Sequence, residues 1–338
     1  MGAGASVARA LAGSWRDPPA LGGLDMETLV EVEEQLMRRG TAGLVWWRIR
    51  ADPAVSESPI GNRFLEAFKM NTVFAGVHQA QISRVLKTLG EADLDPILLK
   101  GWDCARAYPH PGMRPYGDID LCLPPRDEER ARSILAGSPD GIGIDLEHWE
   151  IDAGSLPGLF DRSVTVELDG LPVRVMGPED RIRTLAIHAL KGEVWSPRSL
   201  CDVALAVESR PEDFAWEVCL TGDPVVRDWV LTGISLAGHL LGADLDGVPA
   251  KAVPGWVARR TLHMWSSPWP TKHGTGLQRL PHPGRPLALW RGLGARWPGP
   301  VQATLSAHTP FDDSPRLTLQ LADVARRTFR FLTRQPGR

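Results

Sequence analysis

Apolar residues recur at helical spacing in two early stretches of the chain. Leu29, Val32 and Leu36 predict an amphipathic helix over Met26 to Arg39, with Asp25 placed to cap it. After the Trp46-Trp47 segment and a loop through Pro59, the spacing of Phe64, Leu65, Phe68, Val73, Val77, Ile82 and Leu86 predicts a longer helix from about Asn62 to Leu89. The pattern then changes to short apolar or alternating runs. These predict a strand at Pro96 to Leu99, a short helix from Trp102 to Tyr108 and a strand at Asp118 to Leu123. A helix from Arg126 to Ala136 is announced by Pro124-Pro125, and a strand follows at Ile142 to Ile151. Val164 to Leu168 and Leu171 to Met176 read as a hairpin turning at Asp169-Gly170. From Pro178 the period becomes helical again: to about Lys191, then Pro197 to Glu208, Phe214 to Leu220, Val225 to Leu241, and a basic amphipathic helix from Ser314 to Thr333.

The expected class is α/β in an α+β arrangement: a small mixed sheet with N-terminal helices and a helical C-terminal region. Its three regions are 1–92, 93–177 and 178–338. The stretch from Asp244 to Pro300, dense in Pro, Gly and Trp, has no clear period. Its tryptophans, Trp256, Trp265, Trp269, Trp290 and Trp297, are expected to anchor irregular packing.

Composition narrows the classes of function. Lys and Arg number 38 against 41 Asp and Glu, a net charge of -3. That balance gives no general attraction to nucleic acid or to an acidic membrane surface. Cys104, Cys122, Cys201 and Cys219 form no CxxC pair and lie in apolar segments, so buried reduced thiols and a cytoplasmic location are expected. No apolar run approaches the roughly 20 residues of a membrane span, and the first fifteen residues lack the apolar core of a secretory signal. The richness in Ala, Arg, Gly and Pro suggests a bacterial source of high GC content. The sequence holds no internal repeat, no Walker motif, no GxSxG elbow, no dinucleotide fingerprint and no HExxH pair.

Candidate chemistry concentrates in two short runs, Leu98-Leu99-Lys100-Gly101-Trp102 and Gly117-Asp118-Ile119-Asp120-Leu121-Cys122-Leu123. Strand alternation puts Asp118 and Asp120 on one face and turns Ile119 and Leu121 into a core. Two carboxylates so placed can hold a divalent metal between them. An acidic-x-acidic triplet alone arises by chance about five times in a chain of this composition, so its apolar strand context is what singles it out. A third acid is offered by the strand Ile144-Asp145-Leu146-Glu147, where Asp145 and Glu147 share a face; Glu167 in the hairpin is a weaker option. The Lys100-Gly101 turn would bring a lysine charge and backbone N–H groups to phosphate oxygens. His188, Lys191 and Arg198 flank the loop between two helices, where a structural or solvated role is expected ahead of contact with a triphosphate or acceptor. Asp202, alone on an apolar helix, is suited to orienting a basic residue.

These residues resemble a known family. The run Leu98-Leu99-Lys100-Gly101, then Tyr108-Pro109, Arg114 and Gly117-Asp118-Ile119-Asp120-Leu121, is similar to the bacterial nucleotidyltransferase-like family of the polymerase-β nucleotidyltransferase superfamily. Ile144 to Trp149 resembles the family's third-acid strand, with one extra residue before His148-Trp149. Where the superfamily carries a Gly-Ser turn, this chain has Lys100-Gly101-Trp102, and Lys100 is the candidate substitute for the serine.

The resemblance implies a nucleotidyltransferase core over 93–177 and a defined set of roles. Asp118 and Asp120 would bind two Mg²⁺ ions, or Mn²⁺, with Asp145 or Glu147 as third ligand or as acceptor of the incoming hydroxyl's proton. Lys100, Gly101 and Arg114 would bind the nucleotide. The implied reaction moves a nucleoside monophosphate from a nucleoside triphosphate to a hydroxyl or phosphate of a small molecule, peptide or protein, releasing pyrophosphate. Two other readings remain open: a toxin-type nucleotidyltransferase acting on tRNA or a protein, and a non-catalytic nucleotide-binding accessory module.

Overall fold

A computed structural model describes residues 2–19, 24–141, 143–147, 158–267 and 297–333. Near the N-terminus lie helices α1 (Ala3–Leu11), α2 (Met26–Arg38), α3 (Ala42–Ile49), α4 (Pro53–Ser56) and the 32-residue α5 (Pro59–Gly90). Asp25 caps α2 as its sequence position suggests, its side chain accepting from the Thr28 N–H at 2.7 Å. Helices α1, α3 and α4 carry no prediction from periodicity. They are short, and α3 is apolar apart from Arg48, with Leu44, Val45 and Ile49 all buried, so eight residues give too little period to betray it.

The sheet segment runs β1 (Ile97–Leu99), α6 (Gly101–Ala105), β2 (Ile119–Cys122), α7 (Pro125–Ala136), β3 (Ile144–Glu147), α8 (Leu159–Arg162), β4 (Val164–Leu168) and β5 (Leu171–Val175). The five strands lie in the order β3-β2-β1-β5-β4. β1 is antiparallel to β2 and parallel to β5, β2 is parallel to β3, and β4 and β5 form the expected antiparallel hairpin. Asp169 and Gly170 both take positive φ, 51° and 78°, the signature of a type I′ turn. The class is therefore mixed α/β, as the alternation of apolar runs indicates.

The rest is helical: α9 (Pro178–Val194), α10 (Pro197–Glu208), α11 (Trp216–Cys219), α12 (Pro224–Leu241), α13 (Gly255–Ser266), α14 (Pro300–Ser306) and α15 (Leu317–Thr333). The helical geometry of α9 breaks at Lys191, Gly192 and Glu193. Helix α13 emerges from the Trp-rich stretch. There Trp265 is fully buried with its indole N–H on the Val194 carbonyl at 2.8 Å, and Trp256 stacks on Phe311, while Trp297 is exposed. Trp269 and Trp290 lie outside the described residues.

Two large cores and a small third cluster organise the molecule. In the larger, Val7, Leu11, Leu29, Leu36 and Leu44 pack with Ile182, Leu190, Leu200, Val230 and Trp265, so α1–α3 and α9–α13 share one interior. In the smaller, Leu98, Ile119, Leu121, Leu168, Val173 and Val175 from one face of the sheet meet Ile82, Val85 and Leu89 of α5 and Ala131 and Leu135 of α7. Helix α5 takes part in both, through Ile60 and Phe64 at one end and Ile82 to Leu89 at the other. The sheet's opposite face, bearing Leu99 and Cys122, is where the acids point. All four cysteines are buried free thiols; burial pushes Cys104 and Cys219 up to about 12.

Candidate active site

Strand register brings the acids together. Asp120 lies opposite Leu99 of β1 on one side and Asp145 of β3 on the other, so Asp120 and Asp145 are neighbours on the same sheet face. Asp118, two residues before Asp120, joins that face. One ligand oxygen from each of Asp118, Asp120 and Asp145 falls within 4.8 Å of the others. Asp120 is 6% exposed while Asp118 and Asp145 face solvent, an arrangement open on the side from which a ligand arrives. Ile119 and Leu121 are buried in the core behind, as alternation requires. Three carboxylates at this spacing form an all-oxygen donor set suited to Mg²⁺ or Mn²⁺.

Of the two third-acid candidates, Asp145 belongs to this cluster. The Glu147 side chain, His148 and Trp149 lie outside the described residues. Glu167 does not join it, because β4 is an edge strand separated from β2 by β1 and β5.

The Lys100-Gly101 turn faces the acids from the end of β1. Lys100 sits at φ 42°, ψ -127° and Gly101 at φ 21°, conformations that L residues rarely adopt. A Cβ on Gly101 would stand 3.2 Å from the Asp118 carbonyl oxygen, a tight contact that adds to the positive φ in disfavouring a side chain there. Helix α6 after it is only five residues long, which leaves the turn itself and the lysine as the features presented to a ligand.

A cavity of about 390 Å³ lies over these residues, lined by Lys100, Gly101, Arg114, Tyr116, Asp118, Asp120 and Asp145 from the sheet side and by His188, Arg198 and Ser199 from α9 and α10. Of the basic candidates at the helix junction, His188 and Arg198 reach the wall, whereas Lys191 is not among the lining residues. Tyr116 and Ser199 carried no sequence signal beyond their neighbours. The Tyr116 hydroxyl donates to the Ala75 carbonyl at 3.2 Å, and burial pushes its ionisation up to about 12, so it stays a neutral wall.

Arg114 lines the cavity in an unexpected posture. It is 7% exposed, and its Nε and Nη2 donate to the two carboxylate oxygens of Asp202 at 3.1 and 2.8 Å. Its Nη1 donates to the carbonyls of Gly101 at 3.3 Å and Pro115 at 3.4 Å. The Tyr108 hydroxyl donates to Asp202 as well, at 2.8 Å. Burial by itself would raise the Asp202 carboxyl, but the Arg114 charge and its hydrogen bonds hold it below the usual carboxylate range. The basic partner that Asp202 is suited to orient is thus Arg114, and most of that guanidinium's donors are engaged below the cavity floor. Arg198 donates from Nη1 to the Pro115 carbonyl at 3.0 Å; burial, with Arg114 nearby, lowers its pKa from the ordinary arginine value.

Among the described residues, no helix is long and apolar enough to cross a membrane. No curated protein and no solved structure matches the chain. Residues 30–138, a span that includes Lys100, Gly101, Arg114, Asp118 and Asp120, match the model of a family described as an uncharacterised nucleotidyltransferase, which supports nucleotidyl transfer as the general chemistry of this site.

Proposed function

We propose that the chain is a divalent-metal-dependent nucleotidyltransferase. It moves a nucleoside monophosphate from a nucleoside triphosphate to a hydroxyl or phosphate of a small molecule, peptide or protein, and releases pyrophosphate. The observation that carries this reading is the convergence of Asp118, Asp120 and Asp145 from two parallel strands beside the Lys100-Gly101 turn. Mg²⁺ or Mn²⁺ held there would neutralise phosphate oxygens during in-line displacement at the α-phosphorus.

The chain's own groups divide the remaining work. The Lys100 ammonium and the Gly101 N–H bind the phosphates, and Arg198 and His188 complete the opposite wall. Asp145, exposed on the neighbouring strand, accepts the acceptor hydroxyl's proton. With Arg114 paired to Asp202, the lining sets Lys100 and Arg198 against three carboxylates, so bound divalent metal leaves a positive charge that an anionic ligand such as a triphosphate matches.

Calorimetry of the four nucleoside triphosphates, with and without Mg²⁺, tests the reading. Binding should require the metal. Asp118→Asn and Asp120→Asn, which keep shape and remove charge, should weaken it by more than about 100-fold, beyond what outer ligand-orienting residues contribute. Unaltered Mg²⁺-dependent binding in the double variant would sink the assignment. Metal-dependent binding without pyrophosphate release, across a panel of hydroxyl and phosphate acceptors, would favour the accessory-module reading.

A further inference from the structure

We infer that Asp202, a residue of the helical core, is a positioning residue that fixes the Lys100-Gly101 turn through Arg114; this rests on the reading of that turn as the phosphate contact. Asp202 lies on α10 among Leu200, Cys201, Val203 and Ala204, all buried, and is 4% exposed. An ionised carboxylate in that setting is costly unless paired, and an apolar pair of similar volume would fill the space equally well. The pair offers something an apolar one cannot: a guanidinium locked bidentately on one edge with donors left on the other. Those donors meet the carbonyls of Gly101 and Pro115, the first in the turn and the second three residues before Asp118. Tyr108 adds a third donor to Asp202 and so fixes the carboxylate that orients the fork.

The turn needs such support. Lys100 and Gly101 hold sparsely populated backbone conformations, which persist only where surrounding bonds over-determine them. Of the described side-chain donors, Arg114 reaches Gly101 O, whereas Pro115 O accepts from both Arg114 and Arg198. Losing Arg114 therefore loosens the turn while the approach to Asp118 retains a bond. The predicted signature is a selective loss: phosphate binding suffers and metal binding does not.

The test uses the full chain as the double variant Arg114→Met with Asp202→Leu, which replaces the buried pair by apolar groups. Three quantities are read: hydrogen exchange of the Cys104 amide, which donates to the Lys100 carbonyl at 2.9 Å; Mn²⁺ affinity without nucleotide; and triphosphate affinity with Mn²⁺. We expect a cooperative melt, Cys104 exchange faster by about tenfold or more, Mn²⁺ affinity within about threefold of wild type and triphosphate affinity down by about tenfold or more. Unchanged exchange in a folded double variant overturns the inference, because the pair is then packing alone. An equal fall in Mn²⁺ and triphosphate affinity also overturns it, since the whole site has then shifted. Faster exchange in a chain whose wild type binds no triphosphate upholds the positioning role and refutes the nucleotide reading instead. If the double variant does not fold, Arg114→Lys decides on the same exchange measurement: it keeps a charge beside Asp202 but lacks the fork that reaches Gly101.

Discussion

At Lys100 a charged side chain and a strained backbone serve the same turn. The turn puts an ammonium beside Gly101. Lys100→Met keeps most of the aliphatic stem and removes the charge. Folding should survive, while nucleotide affinity falls by about 1.5–3 kcal/mol, the range for hydrogen bonds to charged groups. The loss should be larger for triphosphate than for monophosphate in a calorimetric series; equal affinities across the series for variant and wild type would show that the lysine points away from phosphate. Much at this scale was legible. Alternation along a strand fixed the facing of Asp118 and Asp120, and a lone acid on an apolar helix marked Asp202 as an orienting group. The identity of its partner was not legible, because Arg114 is 88 positions away in sequence and no local period links them. Arg114 itself read as a phosphate contact for the same reason: a basic residue beside a paired-aspartate strand looks alike whether it faces the ligand or a buried carboxylate.

Elements join at the base of the cleft through α10 and the segment leading into β2. That segment is clamped on its way. The 3₁₀ turn Pro111–Met113 lies against α5, where a Cβ on Gly112 would meet the Phe68 carbonyl at 2.6 Å, and Asn71 donates to the Gly112 carbonyl at 3.1 Å. Arg114 follows directly, so its reach to Asp202 is set by packing two residues earlier. The Asp202 carboxyl, held below its ordinary pKa by Arg114, gives a testable pH dependence. Its stabilising contribution is complete above the unfolded value of about 3.9 and is lost as pH falls through the lower folded value. Asp202→Asn should therefore be less stable than wild type by about 3–5 kcal/mol at pH 7, with the gap narrowing below about pH 4. Urea midpoints from pH 7 to pH 3 measure this, and a gap constant across that range would mean that folding does not shift the Asp202 carboxyl at all. Hairpin and long helices were readable from turn chemistry and period. The break in α9 falls where the period ends, at about Lys191, but the positive φ of Glu193 and Val194 beyond it was not readable, since it depends on tertiary partners such as Arg260, which donates to Glu193 at 2.9 Å.

The whole molecule places its cleft between the acid-bearing face of the sheet and helices α9 and α10. Sequence regions 1–92 and 178–338 look separate because periodicity is local, yet their helices share one interior, and α5, about 48 Å long for its 32 residues, carries the chain from that interior to the sheet. The sheet supplies the acids and the turn; α9 and α10 supply His188 and Arg198. A ligand bridging both walls should therefore stabilise the molecule in two separable steps. Mg²⁺ or Mn²⁺ alone relieves repulsion among Asp118, Asp120 and Asp145, and at 100 times its dissociation constant adds about 2.7 kcal/mol, a rise of several degrees in melting temperature. Triphosphate added with the metal should give a second rise by engaging the helical wall. Asp118→Asn with Asp120→Asn should abolish both steps. Arg198→Gln and His188→Asn should keep the first and diminish the second, because neither residue belongs to the acid cluster. Should both variants retain the full second increment in a thermal melt, the triphosphate is held by the sheet side alone, and the helical wall serves the acceptor instead.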